Sequence, residues 1–101
     1  MRYGDRQYRW FDALARSRAV RPADLRVAWI IATAADPATL AADLSLREIG
    51  LALGIPRATI GRAVSRLVGL GGLAVELRAG RDFRNRYQLE QPPSEFKHAS
   101  S

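Results

Sequence analysis

The sequence contains no cysteine and only one histidine, and these two shortages restrict the chemistry available to the chain. Without cysteine the chain has no disulfide framework and no thiolate metal site. His98 has no metal-ligating residue types beside it in the sequence. We therefore expect no metal and no other cofactor.

Long apolar runs are also absent. The longest extends from Val27 to Ala35 with Thr33 as its one polar residue, far below the roughly 20 residues that a membrane-spanning helix needs. The opening residues, MRYGDRQYRW, contain no apolar stretch of the kind that a secretory signal peptide has. These features predict a cytoplasmic, nucleoid-associated protein with no membrane partner.

No grouping typical of a catalytic site is present in the sequence. Asp36, Asp43 and Glu48 do not form a spaced acid–base pair. The glycine-rich run 69–72 lacks the motif of a phosphate-binding loop, and it follows a predicted helix instead of preceding one. A chain of 101 residues leaves no room for a separate effector domain. We expect a protein that is not an enzyme and is not controlled by a small molecule.

Basic residues outnumber acidic ones and are unevenly distributed. Fifteen of the sixteen basic residues are arginine, the net charge is +6 and the sequence pI is about 11.0. The net charge is +4 over residues 1–21 and +5 over residues 57–86, whereas residues 22–56 have a net charge of −2. Arginine is the fork-shaped donor best suited to phosphate and guanine. Such a chain attracts polyanions, nucleic acids among them.

Apolar spacing predicts a basic helix over residues 5–16. Tyr8, Phe11 and Leu14 lie on one stripe of this helix. Together with Trp10, the aromatic residues of this helix are expected to pack against the core or against a second copy of the chain, and a stacking contact with nucleic acid is the third alternative. A homodimer through this N-terminal helix is therefore one of the partners that the sequence suggests.

A second helix is predicted to begin at Pro22 and to end near Ala35, and Asp24 in its first turn complements the N-terminal helix dipole. It is apolar over most of its surface, so it should be the central helix, with Trp29 in the core. Residues 37–44 are interpreted as a connector in which Leu40 and Leu44 reach the core.

Two shorter helices follow, separated by the turn Gly54-Ile55-Pro56. The sequence Ser45-Leu46-Arg47-Glu48 has the pattern of a capping box, and Gly54 ends the helix that it begins. The buried face of this helix is predicted to consist of Leu46, Ile49, Leu51, Ala52 and Leu53. The next helix, 56–69, has Ile60, Ala63 or Val64, and Leu67 on its apolar side.

The apolar period then changes to two, which predicts a β-hairpin. Its first strand turns Leu73, Val75 and Leu77 inward, and its second turns Tyr87 and Leu89 inward. The fold class is thus mainly α with a C-terminal β-hairpin, a winged helix-turn-helix. We divide the chain into a basic N-terminal helix (1–21), a winged helix-turn-helix domain (22–91) and a disordered tail (92–101).

The stretch SLREIGLALGIPRATIGRAVSRLVGLGGLAVE, followed by RDFRNRYQL, resembles the bacterial winged helix-turn-helix DNA-binding proteins found among phage, plasmid and chromosomal regulators. The core pattern is matched by Ser45, Ile49, Leu53, Gly54, Thr59, Ile60, Ala63 and Leu67. The wing pattern is matched by Asn85, Arg86, Tyr87 and Leu89. Two positions depart from the family: Pro56 replaces a serine that caps the recognition helix, and Gly50 replaces a larger or small polar residue.

The resemblance implies sequence-specific binding of double-stranded DNA and a role in transcription regulation. Helix 56–69 would lie in the major groove, and the hairpin would contact the backbone or minor groove. The residues expected on the DNA-facing side of the helix are Arg57, Ala58, Thr59, Gly61, Arg62, Ser65 and Arg66. Those expected in the wing are Arg78, Arg81, Arg84, Asn85 and Arg86. Five or six neutralised phosphates would give a log–log salt slope of about −5.

Two other functions are compatible with the same sequence. One is an accessory protein of plasmid or phage replication initiation or partition, which would bind repeated DNA sites. The other is a winged-helix adaptor that binds protein and no DNA. The adaptor is less consistent with a basic helix 56–69, because adaptors of this fold usually lose that charge.

Overall fold

Four helices and three strands form the described part of the chain, which in this computed structural model is residues 5–77 and 84–90. In chain order they are α1 (Asp5–Ala15), α2 (Pro22–Ala34), β1 (Ala41–Leu44), α3 (Leu46–Leu53), α4 (Arg57–Gly69), β2 (Leu73–Glu76) and β3 (Asn85–Leu89). The protein is therefore mainly helical with a small three-stranded antiparallel sheet, an arrangement compatible with a winged helix. All four helices begin and end within one or two residues of the boundaries that the sequence predicts.

The strands are arranged in the order β1-β3-β2, so β3 is central and pairs antiparallel with both neighbours. The expectation of a simple connector at residues 37–44 is wrong, because Ala41–Leu44 is a strand. A turn precedes it, in which Asp36 Oδ1 accepts from the Ala38 amide at 2.7 Å and Leu40 adopts a left-handed φ of 60°. The strand AADL does not alternate polar with apolar residues, so the period-two pattern could not reveal it.

Helix α1 shares one core with the rest of the described chain. Trp10 and Leu14 are buried against α2 and the sheet. The indole Nε1 of Trp10 donates to the Gly72 carbonyl at 2.7 Å, and the same oxygen accepts from the Glu90 amide at 3.1 Å. This carbonyl therefore joins α1, the α4–β2 turn and the end of β3. The predicted tail, 92–101, lies outside the described residues.

Several side chains that were expected to be buried are exposed. Trp29 is 47% exposed, Leu51 is 74% exposed and Leu77 is 78% exposed, and Ala52 is exposed as well. The expectation that Trp29 is a core residue is wrong because α2 already fills the core with Val27, Ala28, Ile31 and Ala32. Helix α2 is apolar over most of its circumference, so hydrophobicity alone does not indicate which side faces inward.

The three residues predicted for a dimer contact differ in their exposure to solvent. Leu14 is completely buried inside its own chain, so its assignment to a homodimer interface is wrong. Tyr8 is 68% exposed, and Phe11 is half-buried with its ring edge-to-face against Trp29 at 5.3 Å. Trp10, which was expected against the core or a second copy, lies in the core and is the largest fully buried side chain of α1.

The two tryptophans therefore predict mutational effects of different size. Trp10→Phe removes the hydrogen bond to Gly72 and leaves unfilled core volume, which should cost about 2 kcal/mol of unfolding free energy. Trp29→Phe should change it by no more than about 0.5 kcal/mol, because the ring is half exposed. Urea unfolding of both variants measures the difference. Equal losses in the two variants would contradict the placement of α1 in the core.

Candidate nucleic-acid interface

The turn between α3 and α4 fixes where α4 begins. Gly54 has a left-handed φ of 68°, which glycine adopts without strain. The Gly50 carbonyl accepts from the amides of Gly54 (2.7 Å) and Ile55 (3.2 Å). A Cβ at Gly50 would lie 3.0 Å from the Ile55 oxygen, so the close turn explains the glycine at this position. Pro56 then caps α4 through its carbonyl, which accepts from the amides of Thr59 and Ile60.

Helix α4 buries one side and exposes the other. Its buried side chains are Ile60, Ala63, Val64 and Leu67. The exposed side chains include Arg57, Ala58, Arg62 and Ser65, and Thr59 and Gly61 are partly exposed. The sequence predicts seven DNA-facing residues on this helix, and six of them are accessible to solvent. We call these six residues the α4 surface. Within it, Arg62 Nη2 lies 3.4 Å from Thr59 Oγ1, a long hydrogen bond that leaves the guanidinium exposed.

Gly61 has no structural requirement for glycine inside the domain. A Cβ built at this position meets no heavy atom within 4 Å, and no left-handed φ is present. Glycine in a helix interior costs about 1 kcal/mol relative to alanine. Helix packing therefore does not explain the glycine at this position. Because Gly61 has no side chain, the centre of the α4 surface is open.

Arg66, the seventh predicted residue, binds inside the molecule. Its Nε lies 3.0 Å from both carboxylate oxygens of Asp24, and its Nη2 lies 2.7 Å from Asp24 Oδ1. The hydrogen bonds to this carboxylate raise the pKa of Arg66 above its ordinary value. Arg66 is therefore a residue that holds α4 on α2 rather than an open donor of the α4 surface.

Asp24 has two roles, of which the sequence indicated one. Its carboxylate caps the start of α2 by accepting from the Arg21 amide at 3.0 Å, as its place in the first turn predicted. It is also completely buried, which a helix cap alone does not require. Buried carboxylates need a partner, so the combination of an apolar helix and an aspartate is a signal that could have indicated the pair with Arg66.

The residues predicted for the wing that lie in the described part of the chain are also engaged within the fold. Arg84 Nε and Nη2 donate to the two oxygens of Glu48 at 3.1 and 3.0 Å, which joins β3 to the start of α3. Asn85 Nδ2 donates to the Tyr87 hydroxyl at 3.3 Å. Arg86 lies between two acids across the sheet, because Asp43 and Glu76 are its register partners on β1 and β2. The described part of the wing is therefore not strongly basic. Arg78 and Arg81 lie outside the described residues.

Arg47 is an exposed basic residue that the sequence reasoning did not select. It lies in the first turn of α3, between the two capping-box residues. Ser45 Oγ accepts from the Glu48 amide at 3.0 Å and Glu48 Oε1 accepts from the Ser45 amide at 2.9 Å. This confirmed capping box fixes the backbone from which the Arg47 side chain projects. An arginine between the two residues of a capping box is the signal that could have found it.

Comparison of the chain with protein-family models, with curated proteins and with solved structures gave no match. Within residues 5–77 and 84–90, no helix is both long enough and apolar enough to cross a bilayer.

Glu48 predicts a dependence of stability on pH. The Ser45 amide, and after it the hydrogen bond from Arg84, hold the pKa of Glu48 below its ordinary value of 4.5. The ionised carboxylate thus stabilises the fold above the unfolded pKa, and this contribution is lost as the pH falls through the lower folded pKa. Glu48→Gln should be less stable than the parent at pH 7, and the difference should shrink below pH 4.5. Thermal unfolding over pH 3–7 measures it.

Glu90→Gln is the matched control, because Glu90 is exposed just beyond the end of β3. This variant should follow the parent at every pH. If the stability difference between Glu48→Gln and the parent stays constant from pH 7 to pH 3, the charge of the carboxylate does not stabilise the capping box and the pair with Arg84.

Proposed function

We propose that the protein binds double-stranded DNA sequence-specifically and regulates transcription, as a winged helix-turn-helix protein whose α4 enters the major groove. The observation that carries the proposal is the composition of the α4 surface. It combines two exposed arginines with small residues, and its central position, Gly61, has open space that the fold itself does not require. A surface of this kind is suited to close contact with a polyanion.

The dimensions of the groove support this proposal. The major groove of B-DNA is about 12 Å wide, and a helix with its side chains is about 10–12 Å in diameter. Close approach therefore favours a helix with short side chains on its outer side, and Ala58, Gly61 and Ser65 meet this condition. Arg57 and Arg62 flank these residues as donors for guanine or phosphate oxygens, and Thr59 is a donor near the start of the helix.

The arginines that bind within the molecule have positioning roles in this proposal. Arg66 holds α4 against α2, and Arg84 holds the start of β3 against α3. Removing these two from the expected five or six phosphate contacts leaves three or four. The log–log dependence of affinity on salt concentration should then have a slope of about −3 instead of about −5.

Arg62→Ala tests the role of the α4 surface. A base contact by Arg62 predicts a loss of about 1–3 kcal/mol in specific binding, or about 5- to 150-fold in affinity. The probe is a duplex selected from a random-sequence library by the parent protein, and mobility-shift titration at fixed salt gives both affinities. The variant should keep the stability of the parent because the side chain is exposed.

Arg18→Ala is the matched control, since it removes the same charge from the exposed connector between α1 and α2. It should leave the preference for the selected duplex over a scrambled one unchanged. Equal loss of that preference in the two variants, or failure of the selection to enrich any sequence, would contradict the proposal.

Gly61→Ala should change stability and binding in opposite directions. The added methyl group meets open space within the fold and removes the cost of helical glycine, so stability should rise by about 0.5–1 kcal/mol. On DNA the same methyl group would occupy the closest point of approach, so affinity for the selected duplex should fall at least several-fold. Urea unfolding and mobility shift measure the two effects. A more stable variant with unchanged affinity would place the DNA contact away from Gly61.

Arg66 and Arg84 each bind a carboxylate of the same chain. This favours a second candidate function, that of a winged-helix adaptor that binds protein instead of DNA. The random-duplex selection separates the two functions. Enrichment of one sequence supports the DNA-binding function, and binding that is weak and equal for all duplexes supports the adaptor.

A further inference from the structure

Three aromatic side chains of α1 and α2 form an exposed surface that the DNA-binding proposal does not use. Tyr8 is 68% exposed and Trp29 is 47% exposed, and Phe11 lies between α1 and α2 with its ring edge-to-face against Trp29. We call these three residues, with the two shallow cavities beside them, the aromatic surface. Large exposed apolar groups that cluster in this way mark interaction sites in soluble proteins.

The two cavities lie on either side of the Phe11–Trp29 pair. One has a volume of about 280 Å³ and is lined by Tyr8, Phe11 and Trp29 together with Gln7, Ala32 and Thr33. The other, of about 230 Å³, adds Leu25, Arg26 and Leu53 to the same ring pair. Each cavity is of a size to receive one large side chain of a partner.

The exposed side chains of α1, the following connector and the start of α2 have a net positive charge. Among the exposed side chains from residue 6 to residue 26, six are arginines and one, Asp12, is acidic. Asp12 already accepts from Arg16 at 2.9 Å. Arg26 lies at the edge of the second cavity itself, where its Nη2 donates to the Leu53 carbonyl at 3.0 Å. A partner that enters this cavity therefore meets a guanidinium at its rim.

A second copy of the chain does not suit this surface. A two-fold contact would place two surfaces of the same positive charge against each other, and like charges across an interface are unfavourable. Nine residues line the two cavities. The cavities are of a size that one or two side chains of a short segment can fill.

We infer that the aromatic surface binds an acidic peptide segment of a partner protein through aromatic side chains. The apolar rings of the segment occupy the cavities beside Phe11 and Trp29, and its carboxylates face Arg26 at the rim of the second cavity. Such a segment combines burial of a few large side chains, which dominates binding energy, with charge complementarity at the rim. The site is separate from the α4 surface, so this inference does not depend on DNA binding.

Three synthetic peptides of twelve residues test the inference with the full chain. The first contains glutamate, aspartate and alanine with two phenylalanines four positions apart. The second has both phenylalanines replaced by alanine, and the third has all acids replaced by glutamine. Fluorescence anisotropy of labelled peptides should give an affinity for the first that is at least tenfold higher than for either of the others.

The matched protein variants are Trp29→Ser and Leu77→Ser, which each remove one exposed apolar side chain. Trp29→Ser should weaken binding of the first peptide at least tenfold, whereas Leu77→Ser should leave it unchanged. Urea unfolding of both variants checks that the fold is retained. Arg62→Ala should bind the peptide as the parent does, so a failure of the DNA proposal would not be mistaken for a failure of this one.

Two kinds of result would overturn the inference. The first is equal binding of the three peptides, or equal weakening by the two serine variants. The second is a concentration-dependent dimer in light scattering that Trp29→Ser dissociates, since the occupant would then be a second copy of the chain.

Discussion

The pair between Asp24 and Arg66 is the constraint on which the arrangement of α4 depends. A carboxylate that is completely buried in the first turn of α2 would be strongly unfavourable alone. Both of its oxygens accept from the guanidinium of Arg66, in the last turn of α4. Such fork-shaped contacts fix orientation as well as distance. The exposed side of α4 is directed outward because its other side is held by this pair and by Ile60, Ala63 and Leu67.

The pair also shows why the number of arginines in a sequence does not measure the charge of a surface. Arg66 and Arg84 each bind a carboxylate of the same chain, and Arg86 lies between two acids in the sheet. Their charges help to join elements that are distant in sequence. The exposed positive charge of the described residues is concentrated on α1, the following connector and the start of α4.

Local patterns in the sequence predicted the helices and the β3 strand well. The capping box at Ser45, the left-handed Gly54 and the inward side chains of β3 are confirmed because each depends on neighbouring residues. Strand β1 was not predicted, since its pairing with β3 is more than forty residues away in the chain. The exposure of Trp29 was not predicted either, because it is decided by which side of α2 the other helices cover. Helical spacing predicted which residues form the α4 surface. The pairing of Arg66 with Asp24 could be found only in the folded structure, because the two residues are distant in sequence.

The central position of β3 has a consequence for how the chain acquires its structure during synthesis. Strands β1 and β2 do not pair with each other, so neither has a hydrogen-bonding neighbour until β3 leaves the ribosome. At a synthesis rate of roughly 5–20 residues per second, several seconds pass between the synthesis of β1 and that of β3. During that interval the helices can already pack around the α2–α4 contact. The two waiting strands contain only four residues each, which limits the unpaired backbone available for association between nascent chains.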